Sequence, residues 1–486
     1  MKISNFLLVS ALTLAVTFPA IISCSNSEDT PYNPTERYEY EIVKNSLQTY
    51  TISQVMDNLG KEMPIKLDNV ELSQMPSIPG MPSLSEISLD NLDVLLPFLK
   101  LLIGKIDNIE EVLADNTSYS TCVMKFKSID TKGNPIWLSG RLYFRRDNQG
   151  NFIAPNHVVL ANHYTVCSNA QTSSSEIGLY GVIAHNNALV VAPDYLGYGE
   201  TVSKDHPYCI PDITARNTLD MVRAARQYFD DNGIKEIGNL PLYNIGYSQG
   251  GISALAVAKF VQTDAQAKKE FTLANTYCGG GPYCMPRIYK DNVERNTLAY
   301  PIIIPMIIIG FKDYFPDLFN LDYKDYFSDA INKAGIIDYI KKKSNTDFEI
   351  MDSIAKVIEP LPSEGFEIGI TVRTSDIVSK EAFRQGSDIY ENILKATEMC
   401  DMTVNWTPES HVHFMHSKYD EWVDYFNFEA AQEAFGDNPN AYFETIAPLF
   451  LPKILGKHML IGLTYFARTF CGEYLKVYDK DGNVND

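Results

Sequence analysis

Two runs of residues, 122–127 and 136–144, place apolar side chains at every second position and flank Thr131-Lys132-Gly133-Asn134. A period of two on either side of a glycine-containing turn predicts an antiparallel hairpin. Beyond it the pattern becomes one of short apolar runs separated by longer amphipathic stretches. Strands are expected at 157–161, 188–192, 240–245 and 271–278, and helices at 173–185, 212–231 and 252–260. Fully apolar strands alternating with helices call for a mostly parallel sheet covered on both faces, because parallel neighbours need a crossover that packs back on the sheet.

The alternation stops after 278 and resumes at the strand-like His411-Val412-His413-Phe414-Met415-His416, followed by a helical pattern over 459–474. The intervening stretch is helix-like, with apolar and aromatic clusters at 302–311 and 315–326. An insertion of that length should fold as a helical layer of its own, since long structureless loops are uncommon in compact domains. Upstream of the hairpin, 31–117 is the least regular part of the chain. Within it Leu92, Leu95, Leu96, Leu99, Leu102, Ile103 and Ile106 recur at helical spacing, which predicts a helix over 89–113 packed on the core, with a substrate-covering flap as the alternative. The expected layout is therefore a leader at 1–23, a tether and helical segment at 24–118, a first core part at 119–280, a helical cap at 281–408 and a second core part at 409–486.

Composition sharpens this picture. A chain of 486 residues that is 45% hydrophobic can bury a large core, and a formal charge of −20 opposes binding to nucleic acid, whose affinity rests on Lys and Arg. No stretch reaches the length of apolar sequence needed to span a bilayer, the closest being 301–311. The N-terminus reads as a processing signal: Lys2, an apolar run over 6–20, then Ile21-Ile22-Ser23-Cys24. That ending resembles a bacterial lipobox, which implies cleavage before Cys24, acylation of Cys24 and retention at a membrane, the outer membrane being expected, on its periplasmic face or the cell surface. An ordinary signal peptide is the alternative. Of the eight cysteines, the remaining seven leave one or two disulfides open in an exported protein, Cys278 with Cys284 being near in sequence.

The chemistry centres on Gly246-Tyr247-Ser248-Gln249-Gly250, set between a strand-like and a helix-like segment. A serine hydroxyl needs a base to take its proton, and a sharp strand-to-helix turn lifts it clear of the sheet. The same turn puts the backbone N–H of Gln249 at a helix start, where it can donate to a developing oxyanion. On these residues the chain resembles the α/β-hydrolase superfamily, and its secretory lipase and esterase branch in particular. The resemblance implies the order Ser, acid, His. After the strand 411–416, Ser417-Lys418-Tyr419-Asp420-Glu421-Trp422-Val423 resembles the family's acid loop and assigns the acid to Asp420, with Glu421 and Asp424 as alternatives. His458 is the one histidine beyond Asp420 and takes the part of the base. The second oxyanion donor is expected in Asn162-His163-Tyr164-Thr165, where relatives carry His-Gly; Tyr164 is assigned, with the Thr165 N–H or a side-chain donor as alternatives. Asp194-Tyr195-Leu196-Gly197-Tyr198-Gly199 resembles a turn common in these hydrolases and is expected to hold its loop. His411, His413 and His416 raise a metal reading that no carboxylate or cysteine set in the sequence accompanies.

The resemblance implies two-step acyl transfer to water on a small ester substrate without a cofactor, the apolar clusters of the cap favouring apolar acyl chains. A serine peptidase of the prolyl-oligopeptidase type would need an N-terminal propeller, for which about 95 residues are too few. A binding lipoprotein that keeps only the scaffold is the non-enzymatic alternative, and sequence assigns no oligomeric state.

Overall fold

The computed structural model describes residues 37–56, 109–113, 115, 117–147, 149–362, 368–447, 453 and 456–485. The leader, Cys24 and the apolar positions from Leu92 to Ile106 lie outside the described residues.

Among the described residues, ten strands form one sheet. The expected hairpin is β3 (Tyr119–Ile129) and β4 (Pro135–Arg145), paired antiparallel along their whole length. Two short strands, β1 (Tyr40–Ile42) and β2 (Gln48–Tyr50), pair antiparallel with β3. From β6 (Ala188–Pro193) the order runs through β5 (His157–Asn162), β7 (Leu242–Tyr247), β8 (Leu273–Gly279), β9 (His411–Ser417) and β10 (Ala441–Ile446), each pair parallel. Both faces of the parallel part are covered. Val158 and Leu160 of β5 join one hydrophobic cluster, and Val159 and Ala161 join a second one. This is the α/β-hydrolase arrangement expected from the alternation of strand and helix.

Chain order reverses between β5 and β7: β5 crosses to β6 on one side, and the chain then returns to lay β7 on the other. Such a reversal opens a crevice at the carboxyl ends of the two strands, because their outgoing connections leave toward opposite faces. The serine motif follows β7 and the Asn162–Thr165 loop follows β5.

Two expectations need correction. The segment 173–185 is not one helix: a turn at 173–175 is followed by a bend at 176 and irregular chain at 177–178, and Leu179–Asn186 is a 3-10 helix. The main chain at 173–174 is taken by side chains, since Arg141 donates to the carbonyls of Ser173 and Ser174 (2.5 and 3.0 Å) and the Ser174 N–H bonds Asp194 (2.8 Å). The strand expected at 240–245 begins two residues later, after Pro241, which has no N–H to give to a sheet. The open disulfide question resolves to thiols: no disulfide forms among the described cysteines, and Cys278 and Cys284 are both free.

The N-terminal segment is tied to the core by more than its two strands. The Tyr50 hydroxyl donates to the Gly181 carbonyl (2.8 Å), and Asp115 meets His185 Nδ1 (2.7 Å). Residues 52–56 and α1 (Ile109–Leu113) are helical and bury Ile52, Val55, Ile109 and Val112. Between β8 and β9 the chain is predominantly helical, including α4 (Met285–Arg295), α5 (Ile303–Tyr314) and α6 (Asp388–Met399). Their apolar faces belong to the same cluster as α2 (Pro211–Asp231) and α3 (Gln249–Thr263), which flank the sheet.

Candidate active site

Ser248 sits between the last residue of β7 and the first of α3 with φ 59° and ψ −121°. A non-glycine residue rarely adopts positive φ, and the surroundings must hold it there. Here the Ser248 N–H is bonded to the Gly279 carbonyl (2.9 Å), and its own carbonyl accepts from the Gly251 N–H (2.8 Å). The glycines of the motif are required by close approach: a Cβ on Gly246 would lie 1.9 Å from the Gly250 carbonyl oxygen, and one on Gly250 would lie 2.2 Å from that of Asn162.

The Ser248 hydroxyl lies 2.9 Å from His458 Nε2, and His458 Nδ1 lies 2.7 Å from Asp420 Oδ2. His458 is the first residue of α7 (His458–Phe470), and its ring packs between Tyr247 and Trp422, with centroids 5.0 and 5.4 Å away. Its main chain is held at both ends. Glu421 Oε2 accepts from its N–H (3.0 Å), and the Tyr247 hydroxyl donates to its carbonyl (2.7 Å). Asp420 directs its other oxygen to the N–H groups of Trp422 and Val423 (3.1 and 2.8 Å). Its side chain is fully buried, and a buried carboxylate depends on such hydrogen bonds. The fallback acids are elsewhere engaged: Asp424 pairs with Arg295, and Glu421 caps α7. Burial, with the Asp420 charge beside it, pushes the Glu421 carboxyl up to about 7.

Gln249 opens α3, so its N–H is one of the first-turn amides that have no acceptor within the helix. Its side chain is anchored away from the serine, donating to His206 Nε2 (2.7 Å), while His206 Nδ1 donates to the Leu196 carbonyl (2.8 Å). Burial holds His206 far below the usual histidine range, at about 3, in the neutral form that can accept from Gln249. Sequence reasoning did not single out His206; its position on a loop far from the motif carries no local signal.

The loop after β5 presents Tyr164 and Thr165 to the crevice. The Thr165 hydroxyl bonds that of Tyr208 (2.8 Å), and the Tyr180 hydroxyl donates to the Asn162 carbonyl at the end of β5 (3.4 Å). His163 stacks on Tyr195 with centroids 3.9 Å apart and bonds its neighbour's carbonyl through Nδ1 (2.6 Å). Asp194 braces its loop, accepting from the Ser139 hydroxyl (2.6 Å) and the Ser174 N–H.

The three histidines of β9 do not converge. His416 Nε2 donates to the Val423 carbonyl (2.9 Å) and so helps fix the acid loop, whereas His413 pairs with Glu444 (3.0 Å). His413, Glu444 and Glu473 cluster closely enough for a cation, but the Arg468 guanidinium already bridges the two carboxylates at 2.8 and 2.9 Å.

Ser248, Gln249 and His458 line a cavity that continues between the insertion and α7. Pro282, Tyr300, Ile303, Asp347 and Phe348 of the insertion face it. Tyr300 stacks on Trp422, centroids 4.3 Å apart, and donates to Asp347 (2.9 Å).

A sequence model of the secretory lipase family matches residues 165–450, more than half of the chain. Among solved structures, the rice cell wall degrading esterase LipA from Xanthomonas oryzae is 18% identical, with a TM-score of 0.60 over 74% of this chain and 92% of that one. A putative hydrolase from Legionella pneumophila is 14% identical, with a TM-score of 0.60 over 90% of this chain and 98% of that one. At such identities these likenesses speak for the fold. No curated protein matches the sequence. The fold and the family match together show that the chain belongs to the secretory lipase family and is a carboxylic ester hydrolase of the α/β-hydrolase fold.

Proposed function

We propose that the protein cleaves its ester through an acyl-enzyme on Ser248, with His458 as the base and Asp420 as its orienting acid. The observation that carries this reading is the unbroken hydrogen-bond chain from Ser248 Oγ through both His458 nitrogens to Asp420. His458 takes the hydroxyl proton as Ser248 attacks the carbonyl, and returns it to the departing alcohol. Water, activated by the same histidine, then releases the acid. Asp420 holds the imidazole in the tautomer that leaves Nε2 free to accept, and stabilises the imidazolium that forms. The Gln249 N–H donates to the oxyanion, and we assign the second donor to the loop after β5, to the backbone of Tyr164 or Thr165. No step requires a cofactor.

The helical insertion at 281–408 serves in this reading as a cap over the serine, and Cys24 as the acylated residue that anchors an exported lipoprotein. Labelling with a fluorophosphonate tests the chemistry: the wild type labels, and Ser248→Ala and His458→Ala do not. Equal labelling of Ser248→Ala would remove the assignment. Incorporation of labelled palmitate, lost in Cys24→Ala, tests the anchor.

A further inference from the structure

The cavity beside Ser248 has a lining of two kinds. Some residues carry polar groups, among them Thr165, Gln171, Tyr208, Tyr300 and Asp347. Others are Met56, Ile109, Leu113, Leu179, Leu463 and Phe470, none of which bears a side-chain nitrogen or oxygen. These six share one hydrophobic cluster, distinct from the cluster that holds Tyr208, Tyr300 and Ile303. Three of them, Met56, Ile109 and Leu113, come from the segment between β2 and β3, not from the insertion.

The described residues at the two ends of that segment are held by contacts to the core. Tyr50 pairs with Tyr119 across β2 and β3 and bonds the Gly181 carbonyl, and Asp115 is fixed by the Thr117 N–H (2.8 Å) and by His185. Met56, Ile109 and Leu113 are between 2 and 9% exposed, yet each contributes to the cavity wall. An apolar lining of this kind gains from each methylene it takes out of water, roughly three- to fourfold in affinity per group. A polar substrate half would lose its hydrogen bonds there without replacement.

Resting on the assignment of Ser248 as nucleophile, we propose that Met56, Ile109 and Leu113, together with Leu463 and Phe470, form the subsite for an unbranched apolar chain of the ester. The segment between β2 and β3 thereby sets the length of chain accepted. The chain belongs to the acyl or to the alkoxy half of the substrate, and two ester series tell these apart.

The test measures kcat/KM on p-nitrophenyl esters from acetate to dodecanoate, and on acetates of alcohols from methyl to decyl. In the wild type one series rises roughly threefold per methylene until the subsite is full, and that series identifies the half that binds. Leu113→Trp and Ile109→Trp fill the subsite and lower the long-to-short ratio tenfold or more. Leu113→Ala, which adds space, extends the longest chain accepted by one or two carbons. Val112→Ala loosens the same helix away from the cavity, and its ratio stays at the wild-type value. Unchanged ratios in both tryptophan variants and in Leu113→Ala, with fluorophosphonate labelling retained, overturn the subsite while leaving Ser248 in its role. A wild type inert toward all the esters and toward the fluorophosphonate overturns both.

Discussion

Glu421 accepts the main-chain N–H of His458 at 3.0 Å, so the residue next to the acid Asp420 caps the helix on which the histidine begins. One short loop thus grips His458 twice, by its ring and by its backbone. The carboxyl is largely withdrawn from water and lies beside the Asp420 charge, and both raise it from the ordinary glutamate value to about 7.

This relationship fixes a pH dependence. A carboxyl whose folded value is raised binds more protons in the folded state between the ordinary glutamate value and about 7. Its contribution to stability is therefore complete at low pH and lost as pH rises through that window. Urea unfolding at pH 5 and pH 8 should show the wild type losing on the order of 1–3 kcal/mol more than Glu421→Gln over this interval. Glutamine still accepts from the His458 N–H, so the difference isolates the charge. Equal losses in the two proteins would exclude this role for Glu421.

Asp420→Asn should lower kcat by about 10³- to 10⁴-fold with little change in KM, because the amide favours the wrong imidazole tautomer without altering the shape of the site. Steady-state kinetics on a single p-nitrophenyl ester reads this directly. A loss within tenfold would return the acid to one of its neighbours.

Gly246→Ala should cost more than about 2 kcal/mol, since its Cβ would meet the Gly250 carbonyl oxygen at 1.9 Å and two backbone segments must separate. The measurement is thermal unfolding with parallel fluorophosphonate labelling. Labelling should fall even in the folded fraction, because the same shift moves Ser248.

Lys343 reaches from the insertion into the 194–204 loop, where its ammonium donates to the carbonyls of Gly197, Val202 and Lys204 and sits over the Tyr198 ring. Lys343→Met leaves these carbonyls without that donor and should destabilise the protein by roughly 1–3 kcal/mol. Limited proteolysis should then cut first at this junction, while a mixed or unchanged cleavage pattern would deny Lys343 a part in pinning the insertion.

The legible parts of this protein are the local ones. Alternation with a period of two marked β3 and β4, and apolar runs marked the parallel strands, because a residue's burial in a sheet is set by its neighbours along the chain. Gly246, Ser248 and Gly250 were legible for a related reason, since a sharp turn restricts residue types at adjacent positions. The 173–185 segment misled because its backbone is claimed by Arg141 and Asp194, and helical spacing does not register such competition. His206 and the cap formed by Glu421 were out of reach because each acts on a residue distant in sequence.

The sequence alone determined that a serine stands at a strand-to-helix turn, that one histidine follows the acid loop, and that the sheet is mostly parallel. Tertiary structure decided which carboxylate meets His458, how the Gln249 side chain is held, and that residues between β2 and β3 line the cavity beside Ser248. The physical reason is that periodicity and turn chemistry are fixed by residues close in sequence. Hydrogen-bond partners and cavity walls are instead fixed by where the crossovers set distant segments side by side.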